Sequence, residues 1–211
     1  MNTTVAFLAQ TLAIFMGFFT RVVFTRTLSE GYVGINGLFT DILNILSLSE
    51  LGVGTAITYA LYAPIARRDI KKQQILMRMF RNFYRITAGF VLLAGLCLIP
   101  FLDILMKDRP DVNHLIIIYL LYLLNSVVSY LLIYKKTLVD AHQMNYITVM
   151  YHNGFLVLQD ILQIMVLFLT RNFILFLVIA VVCTIIGNIC MSRKADRLFP
   201  YLKEPCKEQL L

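Results

Sequence analysis

Charged and amide side chains recur at helical spacing inside stretches that are otherwise apolar. Gln10, Gly17 and Arg21 are separated by seven and then four residues, which places them on one face of a helix, with Arg26 following. Asp41 and Asn44 lie one turn apart, and Ser47, Glu50 and Gly54 form another polar face. Asp41 and Glu50 are nine residues apart and point in nearly opposite directions, so one straight helix does not bring both to a single site. Asn153, Asp160 and Gln163 share a third face, flanked by His152 and Gln159. A charge at mid-bilayer costs about 2.5–3.5 kcal/mol on insertion scales, so such a group faces protein or a water-filled cavity. The chemistry on offer is passage and binding within a membrane. Carboxylates or histidines converging at one membrane face, as a catalytic centre needs, are absent from the pattern, so no catalytic residue is assigned.

The same residues also have structural roles available to them. Arg21 and Arg26 suit snorkelling to the outer interface, Asp41 suits the outer water boundary, and Glu50 suits an ion pair that holds helices together. Gly52 and Gly54 suit close helix packing. The acids Asp103, Asp108 and Asp111 accompany Pro110 and read as a solvated turn.

The elements that must position these residues are six long apolar segments. Met1–Thr20, Leu51–Ala66, Ile86–Leu102, Leu115–Tyr134, His142–Gln159 and Asn172–Ser192 carry no Asp, Glu, Lys or Arg. A spanning helix needs roughly 20 mostly apolar residues. The expected spans are Asn2–Phe24, Ile35–Tyr62, Phe83–Leu105, Leu115–Tyr134, Tyr146–Leu169 and Asn172–Ser192. With 59% hydrophobic and 15% charged residues, a soluble core of this size is excluded. The first run is longer than the apolar core of a cleavable signal and lacks a basic start. The expected organisation is a six-helix membrane lobe over residues 1–192 and a basic tail over 193–211.

Charge sets the expected orientation. Arg67–Arg85 carries seven basic residues, Lys135 and Lys136 follow the fourth span, and the tail adds five, so 14 of the 19 basic residues fall on one side. Lys and Arg are retained in the cytoplasm, which puts that side and both termini inside. The net charge of +7 therefore reads as attraction to anionic lipid head groups rather than to nucleic acid. Arg67–Arg85 reads as an amphipathic interfacial stretch with Ile70, Ile75, Leu76, Met79 and Phe80 as its apolar part. Cys97, Cys183, Cys190 and Cys206 show no paired-cysteine or zinc spacing, and His114, His142 and His152 lie at or near segment ends, so no metal is expected.

Three blocks carry a resemblance. They are Gly31–Phe39 (GYVGINGLF), within a stretch opening at Phe24 and continuing to Leu61–Ala66; Ser49–Gly54 (SELGVG); and Lys194–Leu202 (KADRLFPYL). The chain resembles the polysaccharide repeat-unit flippases of the multidrug/oligosaccharidyl-lipid/polysaccharide exporter superfamily, over essentially its whole length. The resemblance implies an all-α bacterial inner-membrane protein whose six helices form one lobe of a two-lobe exporter. It implies export of an undecaprenyl-diphosphate-linked oligosaccharide, for capsule, lipopolysaccharide O-antigen or a related surface polymer. Members have two six-helix lobes, so this chain is expected to act as half of a transporter, or to be a fragment of one, with a second lobe and membrane lipids as partners. An anionic diphosphate needs a cationic, hydrated path, and Arg supplies a permanent charge with a fork suited to phosphate. The substrate-path candidates are then Arg21, Arg26, Asp41, Glu50, Asp160 and Gln163. The acids serve as counter-charges or couple transport to a proton or a sodium ion; no other cofactor is expected. Two further readings stay open: a multidrug-type exporter lobe, and a membrane enzyme acting on a lipid-linked sugar.

Overall fold

A computed structural model describes residues 2–47, 53–102, 112 and 114–203. Among them the chain is helical, with no strand. The helices are α1 (Asn2–Thr27), α2 (Glu30–Ser47), α3 (Val53–Ala66), α4 (Ile70–Leu98), α5 (Leu115–Tyr130), α6 (Ile133–Ala141), α7 (Asn145–Thr170) and α8 (Phe173–Leu198). Short 3₁₀ turns at Ile99–Phe101 and Pro200–Lys203 follow α4 and α8.

Local chemistry sets several of these boundaries. Asn172 caps α8, its Oδ1 accepting from the amides of Ile174 at 2.9 Å and Leu175 at 3.3 Å. Asp69 caps α4 by accepting from the Lys72 amide at 3.0 Å. Arg171 ends α7 in the left-handed region at φ 49°. Pro64 lies inside α3, and its carbonyl accepts from the Asp69 amide at 2.9 Å and from Nε2 of buried Gln73 at 3.2 Å. That carbonyl therefore ties the end of α3 to α4.

Five helical stretches are long and apolar enough to cross a membrane: Phe7–Thr27, Ile70–Phe101, Leu115–Ala141, Asn145–Thr170 and Phe173–Leu198. This is the make-up of an all-α, multi-pass membrane protein. The expected second span, Ile35–Tyr62, is not one continuous described helix: its residues fall in α2 and α3, on either side of residues 48–52. The third differs as well. From Ile70 onward the basic stretch is continuous with the apolar run that follows it, forming the first half of α4, which at 29 residues is about 44 Å long against about 30 Å of hydrocarbon. Its buried stripe is Gln73, Met77, Phe80, Tyr84, Thr87, Ala88, Val91 and Gly95, at spacings of three and four. Of the five apolar residues expected to bind the interface, Phe80 is buried in this stripe, and Ile70 and Met79 are exposed.

Side by side, α1 packs along α7, α7 along α8, α8 along α5 and α5 along α4, while α3 rests on α6 and α4. Leu61, Ile118, Tyr119, Leu123, Leu138 and Leu167 are buried in the resulting core. Outward faces are apolar too, with Phe15 and Phe19 on α1, Leu93 on α4 and Phe168 on α7 all exposed. An apolar exterior of this extent is what a bilayer covers.

Candidate functional site

The seam between α1 and α7 gathers polar side chains from both helices. Asn153, 2% exposed, donates from Nδ2 to Oε1 of Gln10 at 2.8 Å. Two turns further along α7, Asp160 accepts at Oδ1 from Thr20 Oγ1 at 2.9 Å, a proton shared with the Met16 carbonyl at 3.0 Å. Gly17 lies against the same carboxylate: a Cβ there would sit 4.0 Å from Asp160 Oδ2. The expected faces Gln10–Gly17 and Asn153–Asp160 thus meet each other. The amide pair and the threonine satisfy groups that would otherwise be unpaired in an apolar setting.

Arg21 does not join this cluster. The neighbouring Thr20 takes the place opposite Asp160, while Arg21 is exposed, with its guanidinium 5.7 Å from the Phe24 ring centroid. Phe24 belongs to an aromatic group with Phe173 and Phe176 of α8, at centroid distances of 5.5 and 5.3 Å. Tyr32 of α2 meets Phe173 as well, its ring tilted by 60° at 5.2 Å. Arg26 and Asp41 are exposed on α1 and α2. Glu50 lies outside the described residues. Gln163, 2% exposed, donates from Nε2 to the Phe176 carbonyl at 3.0 Å, which makes it a tie between α7 and α8. The five described candidates therefore do not converge: Asp160 sits in the α1–α7 seam, Gln163 faces α8, and Arg21, Arg26 and Asp41 lie on exposed faces.

A second polar region lies on the other side of α7. A cavity of about 260 Å³ opens between α5, α6, α7 and α8. Its polar lining includes Asn125, Lys136, His152, Gln159, Thr184 and Asn188. Asn188 donates to the Val128 carbonyl at 3.1 Å, holding α8 to α5. Asn125 Oδ1 is buried without a hydrogen-bond partner among the described residues. Just outside the cavity, Lys135 turns the other way. Its Nζ is 2.8 Å from both Asp196 carboxylate oxygens and from Ser192 Oγ, which clamps α6 to the end of α8. Asp140, near the cavity, accepts from Thr148 at 2.6 Å.

The spacing argument located His152 and Gln159 but passed over Asn125, Lys136, Thr184 and Asn188. Asn125, Thr184 and Asn188 are polar residues within uncharged spans, and the same cost argument applied to them would have raised them. Nothing in the adjacent pair Lys135–Lys136 tells which lysine pairs with Asp196 and which faces the cavity. Among the described residues, no group of three His, Cys, Asp or Glu side chains is arranged to hold a metal ion. No protein-family model, curated protein or solved structure matches the chain.

Proposed function

We propose that this chain forms one lobe of a transporter that exports an undecaprenyl-diphosphate-linked oligosaccharide across the bacterial inner membrane for surface-polysaccharide assembly. In this reading α2 and α3 together complete a sixth span, both termini are cytoplasmic, and a second lobe covers the exposed face of α1. The observation that carries the reading is the contrast between Arg21 and its neighbours. Gln10 and Thr20 are engaged by α7, whereas Arg21, an exposed residue within a membrane-length helix, meets the Phe24 ring and pairs with no acid among the described residues. A permanent cation facing hydrocarbon is costly, so an exposed one in a span suits a hydrated path for an anion. The blocks Gly31–Phe39, Ser49–Gly54 and Lys194–Leu202 support the same family.

The test is made in a complete two-lobe transporter containing this lobe, in a strain lacking its own flippase. Arg21→Ala is expected to lower surface polymer at normal membrane abundance, and Arg21→Lys to restore it only in part, because Lys keeps the charge and loses the bidentate fork. Normal polymer from Arg21→Ala at normal abundance would remove Arg21 from the path.

A further inference from the structure

The cavity between α5, α6, α7 and α8 has a chemical character of its own. Lys136, His152 and Gln159 line it without a side-chain hydrogen bond to any described residue; no acid lines it, and the acid nearest in charge to Lys136 is Asp140, held by Thr148 beside the cavity. Asn125 adds a buried carbonyl oxygen with no partner among the described residues. A cation, free amides and a threonine hydroxyl together match a phosphate carrying a hydroxyl-rich group. At about 260 Å³ the cavity lies just below the range of roughly 300–1,000 Å³ usual for ligand pockets, so it fits one phosphate and one sugar ring rather than an oligosaccharide.

A second observation points to what the head group would be attached to. An apolar groove of about 250 Å³, lined by Met150, Tyr151, Gly154, Phe155 and Leu158, adjoins the cavity and shares Tyr151 and Phe155 with it. Two glycines shape this junction. A Cβ at Gly187 would lie 3.2 Å from Phe155 Cγ, so the bare backbone there lets Phe155 seat against α8 as the common wall. A Cβ at Gly154 would meet nothing within 4 Å, which leaves the groove open. Polar cavity and apolar groove are contiguous, as the two ends of an amphiphile require.

We propose that this cavity and groove form a binding site for a lipid whose phosphate carries a sugar, with Lys136 on the phosphate, Asn125 and Gln159 on the sugar, and the hydrocarbon chain beside Gly154. The site rests on the transport reading above for its ligand class. It lies where α6 joins α5 to α7, the side assigned to the cytoplasm, so it is placed to receive the lipid from the inner leaflet. It contains neither Arg21 nor Asp160, and is separate from the α1–α7 seam.

The experiment uses the full 211-residue chain in phosphatidylcholine nanodiscs, with helicity checked by circular dichroism for every variant. The probes are a short-chain prenyl phosphate bearing one hexose, a hexose 1-phosphate without a chain, and short-chain phosphatidylglycerol. The hexose lipid is expected to bind more tightly than phosphatidylglycerol. Lys136→Gln should weaken both hexose probes about tenfold. Gly154→Phe should weaken the hexose lipid about tenfold and leave hexose 1-phosphate unchanged, because it fills only the groove. Unchanged binding with Lys136→Gln, or phosphatidylglycerol binding as tightly as the hexose lipid, would overturn the proposal. Binding is measured without transport, so an indifferent Arg21→Ala in the export assay tells against the transport reading, and indifference to Lys136 tells against this site alone.

Discussion

Replacing Thr20 by Val removes the hydroxyl that holds Asp160 while keeping the side chain's shape. Thr20 is 6% exposed and donates to Asp160 Oδ1 at 2.9 Å; no other hydrogen bond to that carboxylate is formed among the described residues. A hydrogen bond to a charged group contributes about 1.5–3 kcal/mol in soluble proteins. Interhelical bonds within a membrane bundle average nearer 0.6 kcal/mol, with a maximum of about 1.7, because the dissociated helices also find partners. The Thr20 proton is shared with the Met16 carbonyl, so part of its gain is local to α1. These terms give about 1 kcal/mol for Thr20→Val, close to a fivefold change in the unfolding equilibrium. The assay is reversible unfolding in mixed micelles, run as a double-mutant cycle with Asp160→Leu. Thr20→Ser, which keeps the hydroxyl, should restore most of the loss. The coupling energy should be about 0.5–1.5 kcal/mol. Additive single mutants, or a Thr20→Ser variant as unstable as Thr20→Val, would refute the claim that this bond holds α1 to α7.

The remaining expectations concern packing, a cross-helix clamp and orientation. Gly95→Ala would put a Cβ 2.3 Å from Leu123 Cδ1 and 3.2 Å from its Cγ, and Leu123 is 1% exposed, so overpacking of about 1–3 kcal/mol should exceed the roughly 1 kcal/mol gained in helix propensity. Adding Leu123→Ala should make the double variant more stable than the two single losses predict, and strict additivity would reject the clash. Lys135→Ala should destabilise by about 2 kcal/mol, since its partner Asp196 is mostly buried at 19% exposure and would be left unpaired, and Asp196→Asn should recover part of that loss. In a cysteine-free background, single cysteines at Lys72 and Arg171 should label from opposite sides with an impermeant reagent in intact cells; labelling of position 72 from outside would reverse the proposed orientation.

What the chain decides by composition is its environment. Runs such as Leu115–Tyr134 and Asn172–Ser192 have no other stable setting than a bilayer, and apart from the cap Asn172 both lie within membrane-length helical stretches, Leu115–Ala141 and Phe173–Leu198. Periodicity also placed Gln10 with Gly17 and Asn153 with Asp160, because residues seven apart on a helix share a face whatever surrounds it. Which face meets which neighbour is a matter of helix rotation, and one residue turns a helix by about 100°. That step put Thr20 rather than Arg21 opposite Asp160, and it sent Lys135 to Asp196 while Lys136 faced the cavity. Helix ends show the same division. Asn172 caps α8 through its own side chain, a signal written locally. The extension of α4 back to Ile70 depends on Gln73, Met77 and Phe80 finding burial against the rest of the bundle. Hydrophobic content is a property of each residue and reads directly from the chain. The cavity beside Lys136 exists only because four successive helices, α5 to α8, stop short of filling the space between them.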